Sequence, residues 1–145
     1  MRTISRMDHL SQAARIRRGV VRLNRRLRQE RGEGGLTPNQ LIVLGHLHRN
    51  GSATPGEVAV AERQRPQSLT RAFGELEAEG LIVREPSTAD RRQSVLTLTA
   101  AGRQALDRDM GERDVWLAGA LGSLSATERG VLELAGEIME RLAGR

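Results

Sequence analysis

The chain has no cysteine, no lysine and no tyrosine, and only one phenylalanine and one tryptophan among its 145 residues. Without cysteine it can form no disulfide, no thiolate switch and no Cys-ligated zinc site. With Phe73 and Trp116 as its only large aromatics it lacks the stacking platform on which RNA and single strands are held. No run approaches the roughly 18 apolar residues of a membrane helix, and the N-terminus shows no signal-peptide pattern. A soluble, cytoplasmic protein with no membrane partner is therefore expected. There is no Gly-rich phosphate loop, no His-Glu-x-x-His, no nucleophile elbow and no Cys–His pair, so the sequence reads as a non-enzyme that needs no cofactor. His9, His46 and His48 are the only histidines, and His46 and His48, two apart on a helix, face different ways. No metal site is expected.

Positive charge is in surplus. Twenty-three Arg stand against 18 acids, a formal net charge of +5 with a sequence pI of about 11.3, which suits a polyanionic partner. The surplus lies at the start, where residues 1–35 hold ten Arg against Asp8, Glu30 and Glu33. A coding bias toward G and C would also fill every basic position with arginine, so the choice of arginine over lysine carries no weight. A chain of this length supports one domain with a real core, spanning 1–145.

Periodicity and caps divide that domain. Met1–Asp8 reads as a loose arm and His9 to about Arg31 as a helix. Ile16, Val20, Leu23 and Leu27 form one apolar stripe, with Arg15, Arg18, Arg22, Arg25 and Arg26 off it. Thr37-Pro38-Asn39-Gln40 is a capping box with proline at the first helical position, and Thr54-Pro55-Gly56-Glu57 repeats the device. Pro66 starts a third short helix with Leu69, Phe73 and Leu76 on its inner stripe, and Gly80 suits the left-handed position past its end. Leu81–Glu85 and Gln93–Leu98 read as strands around a turn at Pro86–Arg92. Thr99 caps a long helix, and Ser125-Ala126-Thr127-Glu128 opens a last one carrying Leu134, Ile138 and Leu142. The order is mainly α with a small β-hairpin, an α+β winged helix-turn-helix over 36–99 between helices at 9–31 and 100–145. The uncovered stripes of Ile16, Val20, Leu23, Leu27, Leu134, Ile138 and Leu142 make the two ends a natural homodimer interface.

With Leu69 pointing inward, about 100° per residue turns Gln67 and Arg71 outward, flanked by Ser68 and Thr70 and preceded by Arg65. Gln can bond adenine in bidentate fashion, Arg can bond guanine, and hydroxyls reach base edges or phosphate. Asp90, Arg91 and Arg92 sit at the hairpin tip, where an arginine can enter a minor groove. Asp90 is expected to accept hydrogen bonds that hold Arg92 extended. Each of these groups also has a plain reading as solvated surface. Trp116 can be core, dimer interface or part of an effector pocket, and the arginines of the first helix can be a polar face or a phosphate contact.

Asp90-Arg91-Arg92 followed by Leu96-Thr97-Leu98-Thr99 and Gly102 resembles the wing signature of the MarR family of winged helix-turn-helix regulators. Leu76-Glu77-Ala78-Glu79-Gly80-Leu81-Ile82 is similar to that family's end of recognition helix and start of wing, and Leu36-Thr37 with Gln40 and Leu44 to its second helix. The resemblance covers nearly the whole chain. It implies an obligate, roughly triangular homodimer joined through its first and last helices. Each recognition helix would enter a major groove of a palindromic operator in double-stranded DNA, and each wing would reach the minor groove through Arg92. It also implies repression relieved by a small aromatic or anionic effector, whose site maps onto no particular residues of this sequence. An architectural or non-specific DNA-binding protein and a winged-helix protein–protein module are the alternatives.

Overall fold

A computed structural model describes residues 6–144. Its elements are α1 (Arg6–Gln29), α2 (Pro38–Asn50), α3 (Pro55–Ala61), α4 (Pro66–Ala78), β1 (Ile82–Pro86), β2 (Ser94–Leu98), α5 (Ala100–Leu121) and α6 (Ala126–Ala143). The expected order of elements is found. α1 begins earlier than expected: Arg6–Asp8 are helical, and the rest of the expected arm lies outside the described residues.

The chain divides into two compact units, one of residues 31–111 and one of residues 1–30 with 112–145. The 31–111 unit is a winged helix-turn-helix. Its core is Leu36, Val43, Leu44 and Leu47 from the α2 region, Ala53 from the loop before α3, Val58 and Ala59 from α3, Leu69, Ala72, Phe73 and Leu76 from α4, Ile82 and Leu96 from the hairpin, and Leu106 from α5. The inner stripe read for α4, Leu69, Phe73 and Leu76, is buried in it.

Caps set the helix ends. At α2 and α6 both capping boxes close reciprocally, Thr37 with Gln40 and Ser125 with Glu128. At α3 only the first half forms, Thr54 accepting from the Glu57 N–H. α4 ends in a Schellman motif around Gly80 (φ +72°), with Leu81 N–H to Leu76 C=O at 2.9 Å and Gly80 N–H to Glu77 C=O at 3.1 Å. α3 ends in the same way around a non-glycine: Arg63 takes φ +51°, with Gln64 N–H to Ala59 C=O at 2.9 Å. No turn residue marked that bend in the sequence.

β1 and β2 pair antiparallel, Ile82 opposite Leu98 and Pro86 opposite Ser94, one residue later than expected at the start of each strand. Ala53 adds a further bridge to Leu96, with N–H to C=O bonds of 3.1 and 2.8 Å in the two directions. The hairpin is thereby tied to the loop before α3. Thr99 caps α5 through the Gly102 N–H at 3.0 Å and donates its hydroxyl to the Gly80 carbonyl at 2.7 Å. The loop before α2 is held by the buried Asp109, whose Oδ2 accepts the Leu36 N–H at 2.9 Å.

The other unit has a different character. Neither α1 nor α6 contains a buried residue. Ile16, Val20, Leu23, Leu134, Ile138 and Leu142 are all exposed, by 58, 42, 42, 55, 40 and 57%, and Leu27 is half-buried. The half-buried Trp116 lies under the Arg26 guanidinium, 5.0 Å from ring centroid to Cζ, a cation–π contact.

Candidate nucleic-acid interface

Burial of Leu69, Ala72, Phe73 and Leu76 fixes the rotation of α4. Helical geometry then leaves Gln67, Ser68, Thr70 and Arg71 on its outer face, and all four are exposed. The helix start suits an anion. Its first turn carries no acid, Arg65 occupies the N-cap without a capping side chain, and the positive end of the helix dipole lies there. Thr70 has committed its hydroxyl proton to the Pro66 carbonyl at 3.1 Å, so towards DNA it can only accept or offer its methyl. Asn39 of α2 donates to the Ser68 carbonyl at 3.0 Å, pinning the first turn of α4 against α2.

Arg71 is engaged by an acid four residues further along the same helix. Its Nε donates to Glu75 Oε1 at 2.6 Å, one helical turn on, with the Arg71 side chain 90% exposed. The other Glu75 oxygen accepts from Gln40 Nε2 at 3.1 Å. Both Glu75 oxygens are thus used, one by Arg71 on its own helix and one by Gln40 of α2. An exposed pair of this kind stabilises the helix by about 0.3–0.5 kcal/mol, too little to withhold Arg71 from a better acceptor.

The hairpin tip is a set of local hydrogen bonds. Ser87 N–H donates to the Gln93 carbonyl at 2.8 Å, and Gln93 N–H to the Asp90 carbonyl at 3.0 Å. Ser87 Oγ accepts from the N–H groups of Ala89 and Asp90 at 3.3 and 3.4 Å. Asp90 Oδ1 accepts the Arg92 backbone N–H at 3.0 Å. Asp90 thus accepts a hydrogen bond from Arg92, in line with the acceptor role expected from the sequence, and takes it from the backbone N–H two residues on, as Asp does in a turn. Among the described residues neither Arg91 nor Arg92 forms an ion pair, and both are exposed at the tip. On β1, by contrast, Arg84 pairs with Glu77 at 3.2 Å, which ties the wing to α4.

His46 is committed elsewhere. His46 is buried on α2, its Nδ1 2.9 Å from Glu62 Oε1, and Arg49 reaches the same oxygen at 3.2 Å. That cluster ties α2 to the residue just past the end of α3. No group of three or more His, Cys, Asp or Glu that could hold a metal occurs among the described residues, and no described helix is long and apolar enough to cross a membrane.

The same residues match known proteins. The MarR family model covers residues 34–93, from the loop before α2 to the hairpin tip. An uncharacterized HTH-type transcriptional regulator of Mycobacterium bovis is 34% identical over 120 residues, 83% of this chain and 84% of its own. The chain belongs to the MarR family. The HTH-type transcriptional repressor MdtR of Bacillus subtilis is 35% identical over 94 residues, 65% of this chain and 61% of its own length. The crystal structure of a putative transcriptional regulator from Pseudomonas aeruginosa superposes with a TM-score of 0.78 at 37% identity, covering 97% of this chain and 99% of that one. This MarR chain is accordingly a DNA-binding protein of the transcription-regulating class, with α4 as its helix-turn-helix second helix and β1–β2 as its wing.

Proposed function

We propose that this MarR protein is a sequence-specific repressor that binds a palindromic operator as a homodimer. In this reading Gln67 and Arg71 read base edges in the major groove, Arg65, Ser68 and Thr70 contact phosphate or base, and Arg91 and Arg92 reach the flanking minor groove from a tip that Asp90 keeps folded. The observation that carries the reading is the pairing, in one unit, of an acid-free exposed helix start with a hydrogen-bonded hairpin tip bearing two exposed arginines outside any ion pair of the described residues. Dimerisation through Ile16, Val20, Leu23, Leu27, Leu134, Ile138 and Leu142 is supported by the exposure of all but Leu27 on helices with no buried residue. Repression is supported by the name of the Bacillus relative. Release by a small aromatic or anionic effector rests on family membership, with no residue of this chain assigned to it.

Alanine substitutions test the base-reading role. Arg71→Ala and Gln67→Ala should each cost about 1–3 kcal/mol on the preferred duplex and less on random DNA. Arg92→Ala should weaken specific binding and lower the salt slope by about one for each arginine withdrawn from the DNA. Equal losses for Arg71→Ala on both duplexes would reassign it to phosphate, and no loss on any duplex would favour a protein-binding module.

A further inference from the structure

We infer that Glu75 is a positioning residue that sets the base preference of Arg71, and that the α2 capping box holds it in place. The inference rests on the DNA-reading role proposed for α4. Four groups form one chain of hydrogen bonds. The Thr37 N–H donates to Gln40 Oε1 at 3.0 Å, Gln40 Nε2 donates to Glu75 Oε2 at 3.1 Å, and Arg71 Nε donates to Glu75 Oε1 at 2.6 Å. Gln40 is buried to 6% exposure and both ends of its amide are used, so it has no freedom to follow a mobile Glu75.

The consequence for Arg71 is geometric. A free arginine samples many rotamers, and holding one costs up to about 2 kcal/mol of side-chain entropy. Glu75 removes part of that cost before DNA arrives. It also chooses which edge of the guanidinium is left over. With Nε taken, the two terminal nitrogens remain, and together they can meet O6 and N7 of a guanine end-on. A second acceptor on the arginine fixes it for planar, bidentate recognition, whereas an unheld arginine can equally settle on a phosphate as a point charge.

A plain surface acid predicts the opposite behaviour. Glu75 carries negative charge beside a DNA-facing arginine, so deleting it should tighten binding to every duplex if charge were its only effect. As a positioning residue, its deletion lowers affinity for the preferred duplex while affinity for random DNA stays level or rises. These two outcomes have different signs.

The experiment uses the full chain and a library of duplexes randomised in sequence, enriched by binding and sequenced. Wild type gives the base preferences, and Arg71→Ala marks the positions that Arg71 reads. Glu75→Ala is expected to flatten those same positions, about tenfold in discrimination, and no others. Gln40→Glu alone sets two carboxylates against each other and Glu75→Gln alone sets two amide donors against each other, so each should flatten the positions too. The double variant Gln40→Glu with Glu75→Gln can re-form all three hydrogen bonds and should restore the preference. Thermal melting identifies any variant that does not fold, and the double variant keeps the test decisive if a single one fails. Retention of the wild-type preference in Glu75→Ala, uniformly tighter binding, or a folded double variant that fails to restore it overturns the inference. A wild-type protein that enriches no sequence overturns the DNA-reading proposal itself, a distinct result.

Discussion

Gly102 has no room for a side chain. A Cβ there would stand 2.0 Å from the Leu81 carbonyl oxygen and 2.8 Å from Leu98 Cδ1, because the start of α5 crosses the base of the hairpin at backbone distance. Gly102→Ala should therefore push α5 away from β1 and cost about 1–3 kcal/mol or more, read as a lowered urea midpoint. An unchanged midpoint would mean that the wing base yields freely. The sequence showed Gly102 as part of a family pattern, and the structure supplies the reason for the glycine. The bonds of Asp90 to Arg92 and of Arg71 to Glu75 are local, two and four residues apart, whereas the bond from Gln40 to Glu75 joins two helices. Asp90 serves the backbone of Arg92, and Arg71 is shared with Glu75 and so with Gln40, 35 residues earlier than Glu75. Rotation about a helix can be counted from one end, while a partner on another helix depends on how the two pack.

The elements show the same division between local and distant causes. Caps were readable because each is a bond across three residues: Thr37 to Gln40, Thr54 to Glu57, Ser125 to Glu128. The Schellman ending at Gly80 was readable because glycine favours positive φ, and the equivalent ending of α3 was not, because Arg63 takes that place. The Ala53–Leu96 bridge and the bond from Leu36 to Asp109 join residues 43 and 73 apart, beyond the reach of any sequence window. One cap also predicts a pH effect. The Ser125 backbone N–H and hydroxyl, both bonded to Glu128, hold that carboxyl below its usual value of 4.5. A depressed carboxyl stabilises α6 above the unfolded pKa, and the contribution fades as pH falls through the lowered folded value. Acid titration followed by circular dichroism should show part of the helix signal lost in that window, and Glu128→Gln should remove the pH dependence of that part. An identical acid transition in the variant would show that the box does not hold α6.

At the scale of the molecule, the apolar surface of the first and last helices stands out. Val21, Val131, Leu132 and Met139 are exposed beside the six stripe residues already named, far more than an isolated soluble chain needs to show. A second copy is the simplest cover, since both stripes exist on every chain. Leu23→Glu or Leu142→Glu should yield monomers by light scattering and abolish binding to a palindrome. A dimer that persists in both would place the interface elsewhere. The basic α1 and the pI of about 11.3 imply that any DNA binding weakens steeply with salt, specific or not. Specificity has to be read as a ratio. The decisive measurement is the affinity of the wild-type chain for a palindromic duplex from upstream of its own gene, half-sites about 10 bp apart, against the same duplex scrambled, across a salt series. A sequence-specific regulator should show about 10³-fold or greater discrimination that survives at physiological salt. Equal affinity for the two, falling together as salt rises, would contradict that role.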